Sequence, residues 1–268
     1  MIDTVPSIQD GPGGELCEAP GTIEFKNVSF RYPGASEYAL RNVSFRIESG
    51  QTAAFIGSTG CGKTSVMNLI PRLYDASEGQ ILINGVDVRT YKQRDLRNRI
   101  GYVPQKSRLF TGTIAGNIAY GDNGRFNASL KEIKKAAEVG QANEFIEQKQ
   151  GQYDSEVLSG GVNFSGGQRQ RLTISRAICR DPEIYLFDDS FSALDFMTDR
   201  KLRTSLRETS AGATVVIVAQ RIGTIRSADQ IFVMDQGQIV GRGTHEELMN
   251  TCAVYKEIAQ TQLAAQAG

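Results

Sequence analysis

The chain has 268 residues, 40% of them hydrophobic, and its 30 basic and 30 acidic side chains cancel to a formal charge of zero. That length can bury one good core, or one core plus a small lobe, and the charge balance argues against a sequence-independent electrostatic grip on nucleic acid or anionic lipid. Apolar runs such as TVVIVA at residues 214–219 fall far short of the roughly 18 residues of a membrane-spanning helix, and Cys17, Cys61, Cys179 and Cys252 form no C-x-x-C pair, so neither a disulfide framework nor a zinc site is expected and a reducing cytoplasm suits the chain.

Residues 1–21 are polar, with glycine and proline and no hydrophobic period, and read as a linker. From Thr22, the alternation in TIEFKNVSFRY and then in LRNVSFRIES predicts two half-buried strands in a small antiparallel sheet, with a turn at residues 33–36. TAAFIG is a short apolar run ending in glycine, and SVMNLIPRLY carries apolar residues at helical spacing, giving strand, loop, helix. Residues 81–84 and 100–103 continue as short strands, whereas residues 129–149 are charged and helically periodic, predicting a helical lobe in the middle of the chain. Residues 183–187, 214–219 and 230–234 are short strands separated by helical patterns. Such alternation argues for a parallel sheet with helices on both faces.

Two segments, with an acid at a strand end, carry chemistry. GSTGCGKT at residues 57–64 fits G-x-x-x-x-G-K-[ST], in which glycines let backbone N–H groups turn toward phosphate oxygens. The same pattern can arise in an ordinary glycine-rich turn, but here a strand precedes it and a helix follows. Lys63 then reaches the β- and γ-phosphates, Thr64 ligates Mg²⁺, and the backbone of Gly57, Ser58, Thr59, Gly60, Cys61 and Gly62, continued by Ser65, lines the nucleotide. Cys61 holds a variable position, its thiol near bound phosphate. IYLFDD puts Asp188 at the end of an apolar strand, where its carboxylate can serve the metal; the alternative is a solvated acid in a turn. FSGGQRQR at residues 164–171 opens a helix with a hydroxyl and bare N–H groups, a combination suited to capping a γ-phosphate. LSGGV at residues 158–162 is a near copy, set aside because the helical run LTISRAI follows only the second.

In this order and spacing the two segments resemble the nucleotide-binding domain of ATP-binding cassette (ABC) transporters, and the resemblance covers about residues 22–259. It implies an α/β fold: a P-loop ATPase core with a mostly parallel sheet, a small N-terminal antiparallel β subdomain and an inserted α-helical subdomain at about residues 106–170. The domain would span residues 22–262, between a linker (1–21) from a missing transmembrane domain and a tail (263–268). By the same resemblance Gln105, in YVPQKSRLF, is the Q-loop glutamine that touches metal and attacking water, and Tyr32, in FRYPG, stacks on adenine. Ser165, Gly166, Gly167 and Gln168 would act in trans on a partner's ATP in a head-to-tail dimer, with SALD at residues 192–195 crossing the same interface.

The chain also departs from the family pattern. Asp189 stands where hydrolysing domains carry glutamate, a carboxylate withdrawn by about 1.5 Å. Gln220, in VIVAQRIGTIRSAD, replaces the switch histidine; it can hydrogen-bond a phosphate but cannot become a cation. The one histidine, His245, reads as a surface or helix-start residue. Phe164 replaces the usual leucine of the signature, and VLSGG at residues 157–161 puts Ser159 where exporters place a glutamate. LFTGTIAGNIAYG at residues 109–121 resembles the exporter segment after the Q-loop, with Gly116 where glutamate is usual.

This combination resembles the degenerate half of heterodimeric ABC exporters. It implies a module that binds ATP and Mg²⁺, hydrolyses weakly through Asp189, Gln220 and Gln105, and completes the site of a second, competent ABC subunit. The expected partners are that subunit and a transmembrane domain of the same full-length chain, at the cytoplasmic face of the membrane, the fragment itself being soluble and without nucleic acid. A non-hydrolytic regulatory module that only holds the dimer together is the alternative. A soluble ABC protein acting on DNA or the ribosome would want coiled coils, tandem cassettes or a basic face, none of which the sequence offers.

Overall fold

The computed structural model describes residues 7–14, 18–121, 128–209 and 212–267, with side chains as far as residue 262. Cys17, residues 1–6 and 15–17 of the lead, and Gly268 with the side chains of the expected tail lie outside the described residues. The chain divides into two compact units, Met1–Arg97 with Ser227–Gly268, and Asn98–Arg226.

In the first unit, β1 (Ile23–Phe30) pairs antiparallel with β2 (Leu40–Ile47), Phe25 opposite Phe45. β3 (Thr52–Gly57) leads into the phosphate loop and α1 (Lys63–Leu69). The sequence pattern extends this helix through Pro71, but it stops at Leu69. Arg72 turns left-handed at φ 52°, its N–H bonding Leu69 O while Leu73 N–H bonds Asn68 O, a Schellman-type ending. β4 (Glu78–Ile83) pairs antiparallel with β1 and with β5 (Val86–Asp87), so the sheet runs β2, β1, β4, β5, and α2 (Gln93–Asn98) follows.

The lead is tied down where it is described. Gly11 N–H donates to Tyr91 O at 2.9 Å, Gly13 N–H to Thr90 O at 2.8 Å, and Asp10 Oδ1 accepts from Gln93 N–H, at the first residue of α2, at 2.8 Å. A Cβ at Gly11 would lie 2.3 Å from Arg89 O, so only glycine lets the segment lie this close.

The second unit opens with β6 (Ile100–Val103), followed by β7 (Gly112–Thr113), α3 (Ile114–Ile118), α4 (Leu130–Val139), α5 (Asn143–Glu147), β8 (Glu156–Val157) and α6 (Gly166–Cys179). The helical stretch expected at residues 129–149 is thus built of two helices. Gly140 comes so close to α6 that a Cβ would lie 2.2 Å from Ser175 Oγ, and the chain turns left-handed at Gln141, φ 57°. A contact distant in sequence overrides the local helical pattern. β9 (Ile184–Asp188), α7 (Phe196–Thr209), β10 (Thr214–Val218) and α8 (Ile222–Ile225) complete the unit. β9 lies between β10 and β6, parallel to both and buried throughout, as its unbroken apolar run requires.

The chain then returns to the first unit. β11 (Gln230–Asp235) pairs parallel with β3, and β12 (Gln238–Gly243) antiparallel with β11; α9 (His245–Thr251) and α10 (Ala253–Ala267) follow. Phe45, Phe55 and Phe232 meet with ring centroids 4.9–5.3 Å apart, joining the antiparallel sheet to the β3–β11 pair in one apolar core. His245 opens α9 with its Nδ1 2.8 Å from the Tyr255 hydroxyl, the helix-start placement read from sequence. The fold is of the expected class: α/β, with parallel strands, an N-terminal antiparallel sheet and a helical part.

Candidate nucleotide site

The loop between β3 and α1 has its glycines where no other residue fits. Gly57 stands at φ 154°, and a Cβ there would lie 2.1 Å from Met234 O on the neighbouring β11. Gly60 is left-handed at φ 84°. Gly62, which caps α1 at φ 104°, would bring a Cβ to 2.6 Å from Ala39 O. The result is a curled backbone with Ser58, Thr59 and Gly60 exposed. Lys63 folds back inside this curl, its Nζ donating to Gly57 O at 2.9 Å and to Ser58 O at 2.8 Å, with Cys61 Sγ at 3.5 Å. Thr64 is exposed on the first turn of α1, while Ser65 is buried and bonded to the Tyr32 hydroxyl at 3.1 Å. The Tyr32 ring, half-exposed, meets Phe30 and Tyr74 in edge-to-face geometry at 4.7 and 5.1 Å. Tyr32 and residues 57–65 therefore form one cluster, in the first unit.

In the second unit, Asp188 ends β9, 2% exposed, with the Tyr102 hydroxyl at 3.5 Å from its Oδ2. Asp189 follows in the left-handed region at φ 47°. Asp189 Oδ2 accepts from Gln220 Nε2 at 2.8 Å and, at a longer 3.4 Å, from Gln105 Nε2. Gln220 and Gln105 thus share one oxygen of Asp189. Ser190 Oγ donates to Val103 O at 2.9 Å, and Ser192 Oγ to Asp189 O at 2.8 Å, bracing the turn on both sides. Beyond it, the Thr198 hydroxyl and N–H hold the Asp195 carboxyl below the usual carboxylate range.

Ser165 is the N-cap of α6 in a capping box: its Oγ accepts from Gln168 N–H at 3.2 Å, and Gln168 Oε1 accepts from Ser165 N–H at 3.0 Å. A Cβ at Gly166 would meet nothing within 4 Å, so the helix opening is bare. Phe164 is buried, with Phe145 at 6.4 Å and the Lys149 ammonium 4.5 Å above its ring, so the aromatic fills an apolar place as leucine would. The near copy at residues 158–162 instead forms a single 3₁₀ turn over Ser159–Gly161, with Gly160 and Gly161 left-handed. It starts no α-helix.

Sequence reading missed Tyr102, Ser190, Ser107 and Gln170. Tyr102 carried a signal, lying three residues before Gln105 on a strand now seen beside β9. Ser107 and Gln170 carried none, since their meeting depends on how the chain folds between them.

The donors also suit magnesium. In the second unit Asp188 offers a buried carboxylate and Gln105 an amide oxygen, and in the first Thr64 offers a hydroxyl, each a hard oxygen donor of the kind Mg²⁺ takes. Among the described residues no cluster of three or more His, Cys, Asp or Glu could hold a metal unaided, and no helix is long and apolar enough to cross a membrane.

A glycine-curled phosphate loop on an α/β core is the architecture of a P-loop ATPase. A family model described as ABC transporter matches residues 40–192. The chain is 46% identical over 253 residues to an uncharacterized ABC transporter ATP-binding protein of Mycobacterium tuberculosis, covering 94% of this chain and 43% of that one. It is 43% identical over 247 residues to the ATP-dependent lipid A-core flippase of Pseudomonas aeruginosa, covering 92% and 41%. Among solved structures it resembles that of a bacterial Atm1-family ABC exporter with ATP bound, with a TM-score of 0.91 and 36% identity over 99% of this chain and 46% of that one. The chain belongs to the ABC transporter family, as an ATP-binding, ATPase domain of the exporter type. It spans less than half the length of the relatives it matches.

Proposed function

We propose that this chain is the ATP-binding module of a two-subunit ABC exporter, in which its own site binds MgATP and turns it over slowly. Lys63 and the 57–64 loop hold the phosphates, Tyr32 stacks on adenine, and Thr64, Asp188 and Gln105 serve Mg²⁺. The bound ion would supply charge neutralisation at the phosphates. Asp189 orients water weakly, and Ser165–Gln168 complete the partner's site. The domain would run from residue 22 to 262 at the cytoplasmic face of the membrane, docked on a transmembrane domain of the same longer protein.

The observation that carries the slow-site reading is the hydrogen bond from Gln220 Nε2 to Asp189 Oδ2 at 2.8 Å. A carboxylate already one methylene short also gives one oxygen to amides, and an amide at the switch cannot supply positive charge. A general base needs a free, positioned lone pair within hydrogen-bond reach of the attacking water. The non-hydrolytic alternative differs only in turnover. Steady-state MgATPase of the purified chain across protein concentrations, beside its ATP affinity, tests the proposal. Micromolar binding with turnover near background supports it. A robust rate that rises with the square of protein concentration would mean that two copies make working sites, and would remove it.

A further inference from the structure

The lead is held to the first unit at two separate places. Close to β1, Asn84 Oδ1 accepts from Gly21 N–H at 2.7 Å and Asn84 O from Glu18 N–H at 3.2 Å, while the Glu18 carboxylate pairs with Arg46 at 2.9 Å. Further back, Gly11 and Gly13 donate through their N–H groups to Tyr91 O and Thr90 O, Asp10 Oδ1 accepts from Gln93 N–H, and Ile8 O accepts from Gln93 Nε2 at 3.2 Å. The two sets of bonds share no partner. Residues 8–13 can therefore leave their seat while residues 18–21 stay in theirs.

One carbonyl makes that seat consequential. A Cβ on Gly11 would lie 2.3 Å from Arg89 O, and the same oxygen accepts from Arg72 Nη1 at 3.3 Å. The backbone of Gly11 is not left-handed, so space alone demands glycine there. Arg72, its side chain 7% exposed, closes the turn that ends α1; its Nε bonds Asp75 Oδ1 at 2.7 Å, and its carbonyl accepts from Arg97 Nη2 at 3.1 Å. A buried guanidinium gives up such bonds only at a cost, so Arg72 follows Arg89 O when that oxygen moves. Five of the seven residues of α1 are buried, and a packed helix this short passes a displacement along its length instead of absorbing it. Lys63 stands at its other end.

We propose, on the reading that Lys63 and residues 57–64 hold the phosphates, that residues 8–13 form a strap whose seating on residues 89–93 sets the end of α1 and, through this helix, the phosphate loop. Drawing the strap from its seat weakens nucleotide binding. The coupling runs wholly within the first unit, and it gives the chain ahead of residue 8 a handle on the ATP site.

Amide exchange at Gly13 without nucleotide, followed by NMR, reads the seat, and titration calorimetry with MgATP reads the site. In the unsubstituted protein the Gly13 amide should be protected. Gly11→Val should speed its exchange at least about tenfold and weaken MgATP binding by about fivefold or more. Asp10→Ala should shift both readouts in the same direction, and Asp10→Asn, which keeps an acceptor for Gln93 N–H, should restore them. Fast exchange at Gly13 with unchanged MgATP affinity would overturn the proposal. So would a Gly13 amide that stays protected in both Gly11→Val and Asp10→Ala, since the seat would not depend on these contacts. If Gly11→Val does not fold, Asp10→Ala, a change at an exposed residue, decides alone. An unsubstituted protein with Gly13 protected and no affinity for MgATP would fail earlier, at the phosphate-loop reading, and take this inference with it.

Discussion

Gln220 reaches Asp189 across the turn after β9, its amide 2.8 Å from a carboxylate whose backbone stands at φ 47°. Aspartate tolerates that left-handed conformation better than longer side chains, because its short carboxylate can bond locally. The departure from glutamate therefore has a conformational side as well as a chemical one. Asp189→Glu with Gln220→His should raise turnover by about tenfold to a hundredfold, the scale of a misplacement of about 1 Å, while lowering stability by about 1 kcal/mol through the left-handed backbone. Steady-state ATPase and urea melts read the two effects separately, and an unchanged rate would count against a slow site of this origin.

Lys63 is held by two carbonyls of its own loop, so it braces the curl as well as offering charge. Lys63→Ala should abolish nucleotide binding, weakening it at least about a hundredfold, and should also lower the melting temperature, since hydrogen bonds to a charged group contribute about 1.5–3 kcal/mol each. Titration calorimetry that found ordinary ATP affinity would remove Lys63 from the phosphate site.

Gly62 combines a forbidden backbone region with no room for a side chain, since an added Cβ would sit 2.6 Å from Ala39 O and 2.8 Å from Leu40 Cδ2. Gly62→Ala should cost about 1–3 kcal/mol and disturb the loop enough to weaken ATP binding. Gly166→Ala, at an open position, should melt close to the original protein. Thermal melts of the pair decide whether the space, or merely the loss of glycine, is responsible.

Cys179, the last residue of α6, has its thiol pushed up to about 11, first by burial and then by the negative charge of Glu132. At pH 8 its thiolate fraction, and so its alkylation rate, should be about a hundredfold below that of an unperturbed cysteine. The folded state keeps the proton that the unfolded state releases from its ordinary value of 9.0 upward. Stability tied to this group is therefore intact below pH 9 and lost as pH rises toward 11. Mass-spectrometric alkylation across pH 7–11 checks both; rapid labelling of Cys179 at pH 8 would contradict them.

Much of this was legible in the sequence. β3, β6, β9, β10 and β11 are short apolar runs with turn residues at their ends, and fully buried strands announce themselves that way. β12 did not, because QIVGRG alternates half-exposed residues with two glycines and gains its place only by pairing with β11. Residues 129–149 are helical as their period suggests, but the break at Gly140 was not legible, because it lies against Ser175, far along the chain. Positions 105, 189 and 220 could be picked out by pattern. That one carboxylate oxygen joins all three could not, because it follows from a left-handed Asp189 and two distant loops. Tyr32 was likewise visible as an aromatic, but not its bond to Ser65.

The serine that opens α6 serves the helix itself. Its oxygen and the Gln168 side chain satisfy each other's backbone N–H groups at the start of α6. Replacing such an N-cap serine by alanine costs about 1 kcal/mol whatever the helix is for. On the reading that this helix start meets a partner's phosphate, folding and phosphate contact fall on the same serine and glutamine, and a chain that lost the second role would still be held to Ser165 and Gln168 by the first.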